Sequence, residues 1–221
     1  MEMNTGTALP TVRDIIFDNG WLFEQKVNFF ESTLLNTKRP GIDKVIDFTR
    51  RTDFYVAPAS GSYHSNYKSG LLDHSIIVYL LSMKFRDVMV LEKPEIESQI
   101  DDNLIAISAL LHDICKTCFY VPAQKWKKDN SGQWNSFSGY DINDTFPIGH
   151  GEKSVIMLQN LGLELDTNEM LAIRFHMGFW NGEGNDLKYS MTKALKICPL
   201  VLLLQMADFS ASTIFETEIK H

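Results

Sequence analysis

The sequence predicts an all-α fold with one small β excursion. Two observations carry that reading. Apolar residues recur at three- and four-residue spacing through most of the 221 residues, the period of helices that bury one face. One stretch, "YVPAQKWKKDNSGQWNSFSGYDIN" (120–143), instead alternates aromatic and polar residues around "DNSG", which reads as a β-hairpin or long loop inserted between helices.

The elements follow in order. The first twenty residues are weakly patterned. "WLFEQKVNFFESTLLN" has helical periodicity, and "GIDKVIDFTRRT" continues it after Pro40. "YVAPASGSYHSNYKSG" is rich in Ser, Gly and Tyr and reads as a loop. "GLLDHSIIVYLLSMKF" is a helix with Ser69 placed to cap it and an apolar stripe through Val78, Leu81 and Phe85; His74 lies on that stripe, one turn before Val78. "DDNLIAISALLHDICKTC" is apolar almost all round, so a central helix is expected, capped by Asp101 or Asp102. After the insert, "HGEKSVIMLQNLG" resumes helix and stops at Gly162. "DTNEMLAIRFHMG" places Asp166 and Glu169 as a capping box and ends at Gly178. "GFWNGEGNDLKYS" is a loop, and "MTKALKICPLVLLLQMADFSAS" is expected to be one last helix. The division expected is an N-terminal helical extension over 1–60, packed on a main domain over 61–221 that carries the insert at about 120–146.

Composition excludes several classes. Hydrophobic and charged shares of 44% and 22% suit a globular chain. A net charge of −7 argues against wrapping duplex DNA. The densest apolar run, "ICPLVLLLQMA", falls short of the ~20 residues of a membrane span, so no membrane is expected. "MEMNTGTALP" lacks a basic region before an apolar stretch, so no signal peptide is expected. Three cysteines make no disulfide framework, and a cytoplasmic setting is expected. Cys115 and Cys118 form a C-x-x-C without the context of a redox or zinc motif, and read as packing. "KWKK" with Trp126 reads as a solvated hairpin face, with a grip on a nucleic-acid strand as the lesser reading.

Function shows in polar residues where apolar ones belong. Asp208 follows Val201 by seven positions and Leu204 by four, so it shares their face; a buried carboxylate costs several kcal/mol unless paired or bound to metal. His112 and Asp113 interrupt the most apolar helix. His150 opens a helix and His176 nearly closes another. Any one of these histidines reads more readily as a hydrogen-bonded core residue. Together, five of six histidines fall in or beside helical motifs, accompanied by two aspartates. Mixed imidazole and carboxylate ligation suits a transition-type divalent ion such as Mn, Fe, Ni, Co or Zn.

The order His74, His112-Asp113, Asp208 resembles the HD superfamily of metal-dependent phosphohydrolases, on "GLLDHSIIV", "ALLHDICK" and "LQMAD". "YHSNYKSGLLDHS" is similar to the stretch before the first metal histidine in HD-domain 3′–5′ exoribonuclease-like proteins. "FPIGHGEKSV" and "AIRFHMGFW" extend the series to H…HD…H…H…D, similar to two-metal HD proteins, including cyclic-dinucleotide phosphodiesterases. The resemblance implies an HD-domain helical bundle. It also implies two divalent ions: His74, His112, Asp113 and Asp208 would hold one, and Asp113 would bridge to a second completed by His150 and His176. The cyclic-dinucleotide signature is not seen after the HD pair, and the N-terminal segment is too short and too helical for the exoribonuclease OB-fold.

The implied activity is hydrolysis of a phosphomonoester or phosphodiester, a nucleotide or short oligonucleotide, by a metal-activated water. Asp113, Lys116 and His64 are the candidate catalytic residues. Lys116, one turn beyond His112, would contact phosphate, and His64 would contact substrate or donate a proton. Trp126, Trp134 and Trp180 would stack on a base at the mouth of the site. The partner expected is a phosphorylated small molecule or oligonucleotide, and a homo-oligomer is left open. Two alternatives stay open: a diiron HD-type oxygenase of a small polyol or phosphonate, and a nucleotide-sensing module.

Overall fold

The computed structural model describes residues 9–16, 21–178 and 185–217. Their order is α1 (Val12–Ile16), α2 (Phe23–Asn36), α3 (Ile42–Arg51), α4 (Gly70–Glu92), α5 (Asp102–Leu111), β1 (Tyr120–Lys128), β2 (Trp134–Ile142), α6 (His150–Asn160), α7 (Thr167–Phe175), α8 (Asn185–Ile197) and α9 (Pro199–Ser210). The mostly helical fold with a small β insert is as expected.

Helix α4 is the axis of the bundle. Every residue from Gly70 to Met83 is buried, because α1, α2, α5 and α9 all pack on it. The stripe through Val78, Leu81 and Phe85 therefore understates the contact: the first half of the helix is enclosed on all sides. Ser69 occupies the capping position with φ 72° and makes no side-chain cap, so it turns the chain rather than capping it. Gly70 is required just after it, since a Cβ there would lie 1.9 Å from the Ser65 carbonyl oxygen. That close approach lays the 57–65 loop across the start of α4. Asp101 does cap α5, accepting from the Asn103 and Leu104 amides at 2.9 and 3.0 Å. The Asp166–Glu169 capping box on α7 is also formed.

Two expected helices are broken. Helix α5 ends at Leu111, and Ile114–Lys116 form a separate 3₁₀ turn. The chain turns at Asp113, with φ −108° and ψ 19°. The last helix is split into α8 and α9, whose axes meet at 109°. Pro199 causes the split: it lacks an amide hydrogen for α8 to continue and starts α9 as its first residue. No single helix among the described residues is long and apolar enough to cross a membrane.

The insert is an antiparallel hairpin, paired from Tyr120↔Ile142 to Lys128↔Trp134. The Asp129 carboxylate closes its turn, accepting from the Ser131 and Gln133 amides. Trp126 and Trp134 are 62% and 59% exposed, and only the root of the hairpin meets the bundle.

Candidate metal centre

His112 keeps helical dihedrals and the chain leaves the helix at Asp113. Both side chains reach the first turns of α4, where His74 projects. His74 Nε2 lies 3.2 Å from His112 Nε2, 3.3 Å from Asp208 Oδ1 and 3.6 Å from Asp113 Oδ2. His112 Nε2 is 3.4 Å from Asp113 Oδ2, and His176 Nε2 is 3.6 Å from Asp113 Oδ1. Helices α4, α7 and α9 and the end of α5 each contribute a donor at one point.

The tautomers follow from the outer nitrogens. His112 Nδ1 lies 2.8 Å from the Ala109 carbonyl, and His176 Nδ1 lies 2.7 Å from the Ile173 carbonyl. A carbonyl only accepts, so both Nδ1 atoms carry hydrogen and donate. His74 Nδ1 donates in the same way to Glu216 Oε1 at 2.8 Å. In their neutral form all three imidazoles would turn Nε2 lone pairs towards each other and towards two carboxylates. Lone pairs at 3.2 Å repel unless a cation or proton lies between them. The buried Asp113 Oδ1 and His176 Nε2 make no hydrogen bond to the described residues. These residues fit a divalent ion: the donors are of the right type, are fixed from behind, and have orphaned atoms aimed inward.

Electrostatics agree. Burial disfavours charge on Asp208 and Asp113, yet the neighbouring imidazoles, and for Asp113 the Lys116 ammonium, hold both carboxyls below the usual range. Burial also opposes charge on His74, but Glu216 and Asp208 outweigh it and push the imidazole up to about 10. Without an ion the cluster would therefore keep a proton, and metal and proton compete for the same lone pairs.

The other expected site residues fall unevenly. Lys116 Nζ is 2.6 Å from Asp113 Oδ2, so its ammonium is held by that carboxylate at the cavity floor. His64 lies over His74 with ring centroids 5.0 Å apart, and burial pushes it down to about 4. It is therefore neutral near pH 7. His150 faces the same cavity but stands off from the cluster, its Nδ1 3.7 Å from Cys115 Sγ. His176, expected with His150 at a second ion, has its Nε2 3.6 Å from Asp113 Oδ1 and also lies within reach of His112 and Asp208. Trp126 and Trp134 do not line the cavity; the hairpin contributes Tyr120 from its root. Trp180 lies outside the described residues.

Glu216 was missed by sequence reasoning. The chain after α9 widens into a π turn, Ala211–Phe215, which carries Glu216 back against α4. Its side chain is 1% exposed, and it also accepts from Ser65 Oγ at 2.6 Å. Its position eight residues after Asp208 was the available signal, since a continued helix would keep the two roughly on one side.

A family model described as HD domain matches residues 71–210. The chain belongs to the HD domain family. His74, the His112-Asp113 pair, His176 and Asp208 all fall within the HD match; Glu216 lies beyond it. The HD chain is 32% identical over 116 residues to a dihydroneopterin 2′,3′-cyclic phosphate phosphodiesterase of Methanocaldococcus jannaschii. That alignment covers 52% of this chain and 41% of the relative, so the chain spans less than half the length of that protein. No solved structure matches the chain.

Proposed function

We propose that this HD domain protein is a metal-dependent phosphohydrolase, with His74, His112, Asp113, His176 and Asp208 holding a divalent ion. The observation that carries the reading is the convergence of three Nε2 lone pairs and two carboxylates, each imidazole oriented through its Nδ1. HD membership and the phosphodiesterase relative support phosphoric ester hydrolysis as the reaction. A divalent ion, when bound, supplies Lewis acidity towards a phosphoryl oxygen and a lowered pKa for water.

The chain's own residues do the rest. Lys116, held by Asp113, presents its ammonium to the phosphate as a positioned charge. His64 and His150, both lowered by burial, offer neutral hydrogen-bonding nitrogens to the ester. The cavity, of about 710 Å³, has room for a phosphoester beside the cluster. The substrate proposed is a phosphorylated small molecule, a nucleotide or a short oligonucleotide. A second ion, reached through Asp113 and completed by His150, is part of the proposal. So is the division into an extension over 1–60 and a catalytic unit over 61–221.

The test is reconstitution. Protein purified without chelator, and then reloaded with Mn²⁺, Fe²⁺, Ni²⁺, Co²⁺ or Zn²⁺, is assayed on a panel of phosphomonoesters and phosphodiesters. Release of alcohol, with phosphate from a monoester or a phosphomonoester from a diester, supports the reading. Oxygen uptake by the iron form with a small polyol or phosphonate, and no ester cleavage, replaces it with the oxygenase. Tight nucleotide binding with no product replaces it with a sensor.

A further inference from the structure

Helix α9 carries two faces of different chemistry. Val201, Leu203, Leu204 and Ala207 are buried in the core. Leu202, Met206 and Phe209 follow one another by four and then three positions, so they form one stripe. They are 43%, 39% and 59% exposed, and all three line the cavity that holds Asp208. A large apolar stripe left open beside a buried charged cluster marks a place where something apolar seats.

Charge narrows the occupant. Among the described residues that line the cavity, Lys116 is the one lysine or arginine, and its ammonium is already 2.6 Å from Asp113 Oδ2. A phosphoryl group at the metal cluster is provided for. Further phosphates strung out from it would need cations of their own, because each adds charge that must leave water.

We infer that the cavity takes an ester with a single phosphoryl group on an uncharged apolar or aromatic body, seated on the Leu202–Met206–Phe209 stripe, and that it discriminates against polyphosphates. The anion end of this inference rests on the phosphohydrolase reading above; the apolar end rests on the stripe. Continuity decides between a small-molecule body and a protein partner. The stripe shares its helix with Asp208 and opens into the same cavity, so a body attached to the phosphoryl group reaches it directly.

Calorimetric titration of the full chain tests this, with free Mn²⁺ kept in excess. Diphenyl phosphate, dimethyl phosphate and tripolyphosphate are the probes. Diphenyl phosphate is expected to bind about tenfold or more tighter than dimethyl phosphate, from burial of its rings. Phe209→Ser and Met206→Ser should each weaken diphenyl phosphate several-fold, by the same area arithmetic, and leave dimethyl phosphate unchanged. Phe209→Arg should strengthen tripolyphosphate, a gain that misfolding does not produce. Equal binding of the two diesters, or tightest binding of tripolyphosphate by the wild type, overturns the inference, as does failure of all three to bind. Probes that bind in the expected order while no phosphoester is cleaved would uphold the seat and sink the hydrolase reading, so the two failures are distinguishable.

Discussion

His74 uses both ring nitrogens, and this makes its surroundings testable. Nδ1 donates to Glu216 Oε1 at 2.8 Å, and Nε2 faces the cluster. Glu216 is thus expected to act as a positioning residue, setting the tautomer and raising the basicity of a ligand. Glu216→Ala should lower metal affinity by about 10–100-fold, the usual scale for such partners. Glu216→Gln, which keeps an oxygen for the Nδ1 hydrogen, should recover much of it. Metal content after dialysis against graded metal buffers reads both, and equal losses in the two variants would reduce Glu216 to a packing role. Asp113→Ala should remove bound metal from the whole site, since its two oxygens face different histidines. His150→Ala should leave the first ion in place and lower stoichiometry only if a second ion is present; elemental analysis separates these outcomes. His74, His112, Asp113, His176 and Asp208 were all legible as candidates, because polar residues on apolar helix faces stand out. Glu216 and Ser65 were not, because nothing local marks a glutamate near a chain end or a serine in a loop as buried.

At the level of elements, a close backbone contact supports the site. Gly151 follows His150 in α6, and a Cβ there would lie 2.2 Å from the Arg174 carbonyl oxygen. Helices α6 and α7 therefore touch backbone to backbone beside two of the site histidines. Gly151→Ala should force them apart and cost about 2 kcal/mol, within the range for overpacking. Chemical denaturation measures it, and a loss under about 0.5 kcal/mol, the ordinary surface range, would show that the contact is soft. The hairpin is the counter-case. Its pattern was plain in the alternation of 120–143, but the role of its tryptophans was not, since alternation shows which residues share a face and not what that face meets.

For the whole molecule, the helices before the HD match are clasped by ion pairs. Arg50 donates to both Glu31 oxygens at 2.7 and 2.6 Å, joining α2 to α3, and the Tyr55 hydroxyl donates to Glu31 Oε1. The Arg50 hydrogen bond is the main cause holding the Glu31 carboxyl below its usual range. A carboxyl whose folded pKa is lowered contributes stability above the unfolded value, and loses it as pH falls through the folded one. Wild type should therefore lose melting temperature on acidification below about pH 4.5, and Glu31→Gln should lose less over that window. Parallel melting curves would sink this account of the clasp. Stripping the metal with a chelator should lower the melting temperature by several degrees, and reloading should restore it. An ion at a hundred times its Kd contributes about 2.7 kcal/mol, and about 2–4 °C accompanies each kcal/mol for a chain of this size.

From the sequence alone came the helical class, an insert read as a hairpin or long loop, a cap at Asp101 or Asp102, the capping box at Asp166, and the histidines and aspartates able to meet at a metal. Each of those is written in a local period or a local residue type. The tertiary structure alone decided which donors converge, that α5 stops before the His112-Asp113 pair, that His176 joins the cluster while His150 stands apart, and that Glu216 reaches His74 across 142 residues. Those outcomes depend on how α4, α5, α7 and α9 pack and on where the chain turns between them. The same packing leaves the Leu202–Met206–Phe209 stripe facing the cavity. A helical period says that such a stripe exists; only the assembled bundle says what lies opposite it.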